Sequence, residues 1–570
     1  MSKDVTTFHT FNLLLGKLPA RKHLLRLPAF PIDRKIHIRV ERTLPFEFIS
    51  SVLPPFMGLW GCGYTISYSD YDPSLSRMTS SANADVYLLW MDWRVYRKAM
   101  TAEQAADWLR DRIQVLRKST DRPVLINTWL EENEASDVLW SPQMSGRGWV
   151  RELNLRLGAL AGDLPGCALI DLASVAGDTD GAFYDGRNDK LSNYPFSDQA
   201  SVSIARHLGV HLFPAVLAPR LKALALDLDD TLYKGVLGED GIEGVKLTEG
   251  HERLQRLLLQ LKESGLLLTL CSRNEEADVR ALFEARKDFP LSWNDFAAVQ
   301  ANWKPKEHNI RSLAKTLNID PSAFLFIDDN PAELLKVSRA LPQVKLLPAD
   351  EDGMATFLRL CHYPGLYQLR ADATASVRTA DIQANQVRET LKSNAENFHS
   401  YLESLQMVIR LGRNRPDHKK RLHELSHKTN QFNMALQRYS EQAVDRFLET
   451  PEHSVFTVQL EDALTDSGVV GAFVCRLKDG TADISEILFS CRALGREVET
   501  VSFAYVLKQL VQQGAEQIRI AVKEGPRNRP AREWLARFTA KGESSFPAAA
   551  LLQRVEASCS QHPARVEEMR

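Results

Sequence analysis

Two aspartates one residue apart, Asp227 and Asp229, end an apolar run in LALDLDDTLYKGVLGEDG (Leu224–Gly241) and lead through Thr231 into a glycine-rich turn. Such a carboxylate cluster can hold a metal, accept a phosphoryl group, or simply end a strand. Further along, Ser272 closes a second apolar run and Asp328 and Asp329 close a third, with Lys306 between those two. The types fit phosphoryl chemistry. Carboxylates coordinate Mg2+, and one of them is a nucleophile toward phosphorus. A serine hydroxyl and a lysine ammonium hold phosphate oxygens and offset the charge of the transition state.

The pattern between these groups predicts elements that bring them together. Leu221–Leu226, Leu266–Leu270 and Phe324–Ile327 read as buried strands. Glu249–Ser264 carries Leu254, Leu257, Leu258 and Leu261 at helical spacing, and Asn274–Arg286 opens with Asn274 as a cap and an acidic first turn. Buried parallel strands alternating with helices make a doubly wound sheet, whose ligands sit at the carboxyl ends of the strands. All six groups, Asp227, Asp229, Ser272, Lys306, Asp328 and Asp329, fall at that edge.

Three regions follow along the chain, α/β at 1–219 and 220–370 and α+β at 371–570. The first alternates apolar runs (VYLLWMDW, PVLINTWL, CALIDLASV) with helix-like segments at Ala102–Leu116 and Ser201–Leu208. The third starts polar and helical, then gives strand-like SVFTVQL, GVVGAFVCRL and DISEILFS, a helix at Glu499–Gly514 and a strand at QIRIAV. The tail after Phe546 reads as loosely held.

With 570 residues the chain exceeds a single core. A hydrophobic content of 44%, charged content of 25% and net charge of -2 describe an ordinary globular protein and argue against general nucleic-acid binding. The 7 cysteines are scattered, with no CxxC pair, which disfavours zinc ribbons and disulfide frameworks. No uninterrupted apolar run approaches 18 residues, so no membrane span is expected. A cytoplasmic location with reduced thiols is the expectation.

The ordered set DxDxT, Ser, Lys, DD resembles the haloacid dehalogenase superfamily of phosphohydrolases. The resemblance implies Asp227 as phosphoryl-accepting nucleophile, Asp229 as general acid/base, and Thr231 steadying the turn beside the phosphate. Ser272 and Lys306 would bind phosphate; Lys304 competes for the lysine role. Mg2+ would be held by Asp227, Asp328 and the main-chain carbonyl of Asp229, with Asp329 in support. The short gaps between the motifs leave no room for a large cap domain, so the site should be open.

DLDDTLYKGVLGEDG together with CSRNEE, NWKPKEHNI, FLFIDDNPAE, HKTNQFN and SCRALGREVE is similar to the FkbH-like glyceryltransferase/phosphatase family, within subfamily IIIC of the haloacid dehalogenase superfamily. That likeness implies transfer of a D-glyceryl group from 1,3-bisphosphoglycerate, a small-molecule acyl phosphate, with loss of phosphate. The acceptor would be the phosphopantetheine thiol of an acyl carrier protein in polyketide or related biosynthesis. A cysteine thioester is the implied intermediate, with Cys271 and Cys491 as candidates. A phosphatase, or a transferase to a sugar or amine, is the alternative.

The third region resembles the acetyltransferase fold called GNAT, which cradles a pyrophosphate on an R/Q-x-x-G-x-G/A turn at a helix start. Here the turn runs Arg492 to Glu497, and Glu497 would repel a diphosphate if it pointed inward. Arg492, Gly495, Arg496 and Asn528 are the expected carrier- or pantetheine-binding residues. The segment His427–Asn433 has no assigned role. The first region is similar to SGNH hydrolases in layer pattern, but it lacks a GDS nucleophile. Tyr194-Pro195-Phe196-Ser197 stands where DxxH would fall, so this domain is expected to be non-catalytic.

Overall fold

The computed structural model describes residues 10–76, 78, 84–131, 146–369, 375–490, 492–539 and 545–569. The chain separates into two compact units, Met1–Ser376 and Val377–Arg570. The expected class holds in each: parallel α/β in the first unit, and a mixed sheet with helices in the second.

The first unit contains two all-parallel five-stranded sheets. One takes β1 (Arg34–Arg42), β2 (Cys62–Tyr71), β3 (Val86–Trp90), β4 (Val124–Asn127) and β5 (Cys167–Ile170) in the order β2-β1-β3-β4-β5. Helices α1 (Ala102–Arg117), α2 (Gly146–Asp163) and α3 (Asp198–Arg206) belong to this part. Thr101 and Gln104 close a reciprocal capping box at the start of α1. Ser197, at the position where a catalytic histidine motif would have fallen, caps α3 by accepting from the Ala200 amide at 3.0 Å.

After α3 the chain runs through a π-helical segment, His207–Leu212. The run Asp198–Leu217 is apolar and long enough to cross a membrane, but 72% of its apolar 18-residue window is buried inside the fold. His211 Nε2 lies 3.2 Å from His362 Nδ1. Burial pushes His207 down to about 4 and His211 in the same direction, so these imidazoles are neutral packing groups at ordinary pH.

The second sheet orders as β10-β9-β6-β7-β8, from β6 (Ala223–Leu226), β7 (Leu267–Ser272), β8 (Phe296–Ala301), β9 (Phe324–Asp328) and β10 (Lys345–Pro348). Every residue of β6, β7 and β9 is buried, which explains their near-continuous apolar sequence. The connecting helices are α4 (Glu249–Glu263), α5 (Glu276–Ala285), α6 (Lys306–Thr316), α7 (Pro331–Ala340) and α8 (Met354–Cys361). A short helix, Leu237–Gly244, and α4 fill the stretch between Asp229 and Ser272. The stretch from Ser272 to Lys306 holds α5, a single 3-10 turn and β8. Neither carries an inserted cap domain, as the spacing predicts.

The second unit is a mixed seven-stranded sheet ordered β16-β15-β14-β13-β12-β11-β17. Its strands are β11 (Val408–Arg413), β12 (His453–Glu461), β13 (Asp466–Lys478), β14 (Thr481–Phe489), β15 (Gln517–Ile520), β16 (Ser545–Pro547) and β17 (Arg565–Glu568). Helices α9 (Val498–Gln512) and α10 (Ala548–Cys559) pack together beside it. The expectation of a loose tail is corrected here. Leu551 and Val555 of α10 are fully buried, and β17 pairs in parallel with β11.

Close packing between α4 and the turn before α8 tests the arrangement under the second sheet. A Cβ built on Gly250 would stand 2.3 Å from both Asp352 O and Met354 N, backbone atoms that cannot swing aside. Gly250→Ala is expected to cost about 1–3 kcal/mol through overpacking. Chemical denaturation should show a lower midpoint with an unchanged slope.

Candidate functional site

β6 lies between β9 and β7, so its carboxyl end is flanked by the ends of two parallel neighbours. Asp227 extends β6 by one rung, its amide donating to Ile327 O at 3.0 Å. Asp328 ends β9 and Ser272 ends β7. Lys306 is the first residue of α6, delivered by the turn after β8. Its Nζ stands 2.8 Å from Asp227 Oδ2 and 2.5 Å from Asp328 Oδ2, with all three side chains buried. Lys304, the competing lysine, is exposed, and its backbone amide donates to Asn302 Oδ1.

Oxygens of Asp227, Asp328 and Asp329 lie within 4.8 Å of one another. Three carboxylates against one ammonium leave the pocket with surplus negative charge. Burial pushes Asp227 and Asp328 up, against the pull of Lys306. Asp329 moves up to about 6, first from burial and then from Asp227. Burial works against the Lys306 ammonium, yet Asp227 and Asp328 outweigh it and hold the lysine charged. An all-oxygen, anionic, partly desolvated donor set suits a hard divalent cation.

Asp229 points elsewhere. Its Oδ1 accepts from Tyr233 OH at 2.7 Å and from the Leu237 amide at 2.9 Å, and its Oδ2 accepts from Asn274 Nδ2 at 2.9 Å. All three contacts donate and fill three of the roughly four acceptor sites of this carboxyl. Asn274 is not the cap its type predicts; Glu275 holds that position, without a side-chain cap bond. The Asn274 amide instead bridges Asp229 and Ser272 Oγ, the latter at 2.9 Å. With that oxygen already accepting, the Ser272 hydroxyl proton is free for an anion. Thr231 Oγ1 is buried without a partner among the described residues, while the Thr231 and Leu232 amides close the turn onto Leu228 O.

Cys271 does not share this setting. It is fully buried, its Sγ rests 3.8 Å from Lys306 O, and burial pushes the thiol far above its ordinary range. Strand alternation explains the difference: Ser272 and Cys271 point to opposite faces. As held here, Cys271 is a poor nucleophile. Cys491 lies outside the described residues.

The second unit rearranges the carrier-binding expectation. Gly495 sits at φ +78° with open space around it, and Arg492 is half-buried with Nη1 donating to Ser467 O at 3.1 Å. Arg496 is interior, ion-paired at 2.5 Å to Asp462, a buried carboxylate that Arg388 also grips. Asn528 is fully buried too. Neither residue can meet a carrier protein in this arrangement. Glu497 accepts from Thr500 Oγ1 at 2.6 Å and from Arg537 Nη1 at 2.9 Å. A carboxylate thus stands at the start of α9, where an anion would otherwise be received.

The unassigned segment His427–Asn433 acquires a structural role. β14 and β15 pair only from Thr481 to Ile484 and from Gln517 to Ile520, then diverge. Phe432–Met434 enters the gap. Phe489 N donates to Phe432 O at 2.9 Å, Met434 N to Ile487 O at 3.0 Å, and Lys523 N to Met434 O at 3.0 Å. The buried Glu486 carboxylate accepts from the Ala435 and Gln437 amides at 2.9 and 2.8 Å. Asn528 clamps the insertion, its Nδ2 donating to Asn433 O at 2.9 Å and to Lys523 O at 2.8 Å.

No family model matches the chain, and no curated protein matches it. Among solved structures, the N-terminal part of the protein BF1531 from Bacteroides fragilis, containing a phosphatase domain complexed with Mg, is similar at 20% identity. That match covers 64% of this chain and 99% of the other, with a TM-score of 0.48. The ribosomal-protein-S18-alanine N-acetyltransferase from Escherichia coli matches at 9% identity and TM-score 0.19, over 23% of this chain and 75% of its own. A mutant form of the spermidine N-acetyltransferase SpeG from Vibrio cholerae matches at 13% and 0.19, over 26% and 98%. At these identities and scores the likeness concerns chain path and not substrate.

Two measurements check this geometry. The raised Asp329 pKa means that ionising the pocket costs folded-state stability as pH rises from the ordinary carboxylate range through about 6. A cation binds only the ionised form, so the rise in Tm on adding Mg2+ should be larger at pH 7.5 than at pH 5.5. Asp328→Asn should remove most of that gain. In the second unit, Asn528→Ala should speed hydrogen exchange at the Met434, Phe489 and Lys523 amides, with little change at amides of β12.

Proposed function

We propose that this chain is a Mg2+-dependent glyceryltransferase/phosphatase. It would take 1,3-bisphosphoglycerate, release phosphate, and load a D-glyceryl group onto the phosphopantetheine thiol of an acyl carrier protein. The observation that carries the phosphoryl half is the convergence of Asp227, Asp328, Asp329 and Lys306 at one sheet edge, beside Ser272. The glyceryl half rests on the family resemblance of the motifs. Mg2+ would be held by Asp227, Asp328, Asp329 and the main-chain carbonyl of Asp229, and when bound it neutralises surplus charge and polarises phosphoryl oxygens.

The chain's own residues divide the work. Asp227 is the nucleophile toward the phosphorus of the C3 phosphate: its oxygen bonds to that phosphorus as the bond to the C3 oxygen breaks, the C3 oxygen takes up a proton, and water later releases phosphate from the aspartyl phosphate, which leaves the C1 acyl phosphate for the transfer. Lys306 keeps Asp227 oriented and meets charge that develops on the phosphoryl oxygens. Ser272, held by Asn274, donates to one of those oxygens. Asp229 serves the leaving oxygen as general acid/base, through the acceptor site that its three donors leave open. In the acyl transfer, the bond from the carbonyl carbon to the phosphate oxygen is exchanged for a carbon–sulfur bond, and the thiol proton leaves with the phosphate.

The burial of Cys271 favours direct transfer to the carrier thiol over a relay through that cysteine. The same burial, with the filled gap beside β14, also supports a second reading, a phosphatase or a transferase to a sugar or amine. Intact-protein mass spectrometry separates them. After incubation with 1,3-bisphosphoglycerate, Mg2+ and holo-carrier protein, the carrier should gain the mass of a glyceryl thioester. Asp227→Asn should lower that rate by about a hundredfold or more. Phosphate release with no carrier adduct, across every plausible carrier, would favour the second reading.

A further inference from the structure

We propose that Arg273 is a specificity-determining residue that receives a second anionic group of the substrate while the first sits at Asp227, Ser272 and Lys306. The proposal rests on the phosphoryl-site reading above and adds to it the residue that meets the substrate's second anionic group. Arg273 directly follows Ser272, just past the end of β7. Its Nη2 bonds Glu333 Oε1 at 3.1 Å, and Glu333 belongs to the first turn of α7, which starts shortly after Asp328 and Asp329. β7 and β9 are the two neighbours of β6. The guanidinium therefore spans between the strands that flank Asp227, at the same carboxyl edge.

Charge separates this lip from the pocket behind it. Inside, three carboxylates face one ammonium. At the lip the balance is reversed: Glu333 is a single buried carboxylate shared by two cations, Arg273 and Lys336, the latter at 2.8 Å. Glu333 is held within the fold, whereas the Arg273 side chain is 42% exposed. The pocket thus favours a cation and the lip favours an anion. A guanidinium offers five donors in a fixed fork, and its contacts to Glu333 use one nitrogen, Nη2. The remaining edge suits phosphate or carboxylate oxygens.

Phosphate release from acetyl phosphate, with one anionic group, and from 1,3-bisphosphoglycerate, with two, reads this directly. For Arg273→Gln, the ratio of kcat/KM for the bisphosphate to that for acetyl phosphate should fall about tenfold or more, chiefly through KM of the bisphosphate. Arg273→Lys should recover part of that ratio, since it keeps the charge and loses the fork. A merely structural role would lower both substrates together, and Arg273→Gln with Glu333→Gln would then restore both; that result overturns the proposal. An unchanged ratio in Arg273→Gln overturns it as well. If the unaltered chain releases phosphate from neither compound, the phosphoryl-site reading itself fails and takes this inference with it. Activity in the unaltered chain with no loss of selectivity in the variant instead sinks the Arg273 assignment alone.

Discussion

The contact on which the central site depends is one buried ammonium set between two buried carboxylates. Lys306 Nζ meets Asp227 and Asp328 with side-chain exposures of 3%, 9% and 0%. Burying such charges is costly, and removing one partner from a buried pair typically costs about 3–5 kcal/mol because the other is left uncompensated. The contact therefore constrains three connections at once. β6 and β9 must end level, and the turn after β8 must start α6 where Lys306 reaches both. The parallel order β9-β6-β7 supplies that level edge, and Ser272 arrives on the other flank from β7. The surplus negative charge that remains gives the pocket its appetite for a cation.

Around this centre, rigidity is graded. Asp229 is fixed by three donors drawn from the turn, from Tyr233 and from Asn274, although it lies only two residues from Asp227. Two carboxylates of one motif are thereby given different environments: one faces an ammonium, the other faces only neutral donors. Divergent surroundings of this kind separate roles in a site built from like groups. Outside them, no inserted cap closes the edge, which leaves it open and gives less protection from water.

Much of this centre is legible in the sequence because its groups sit at the ends of strands that are buried on both faces. Such strands read as unbroken apolar runs, and the polar residue that stops each run is the site residue. Asp227, Ser272 and Asp328 are reached in that way, and Lys306 through the motif order between them. What escapes is carried by contacts across loops. Asn274 has the type of a helix cap, and nothing local marks it as the bridge between Asp229 and Ser272. Cys271 and Ser272 are adjacent in sequence but face opposite ways. β8 is alanine-rich (FAAVQA) and β10 is four residues long, so neither stands out from the chain around it. The tail reads as loose because only a few apolar residues, Leu551 and Val555 among them, are needed to seat α10. In the second unit, Arg492–Glu497 has the expected turn, but Arg496 and Asn528 are spent on internal contacts that no linear spacing reveals.

The insertion at Phe432–Met434 also constrains how the second unit can be assembled. Sheets usually grow by adding strands at their edges, whereas here a segment must enter the interior, between β14 and the chain after β15. Its partners Phe489 and Lys523 lie far along the sequence, so closing these rungs demands long loops before any hydrogen bond rewards them. Until it seats, the outer half of β14 and the Glu486 carboxylate lack the backbone donors and acceptors that satisfy them in the finished fold. The gap between β14 and the chain after β15 is thus closed by a segment distant in sequence from both of the partners it joins.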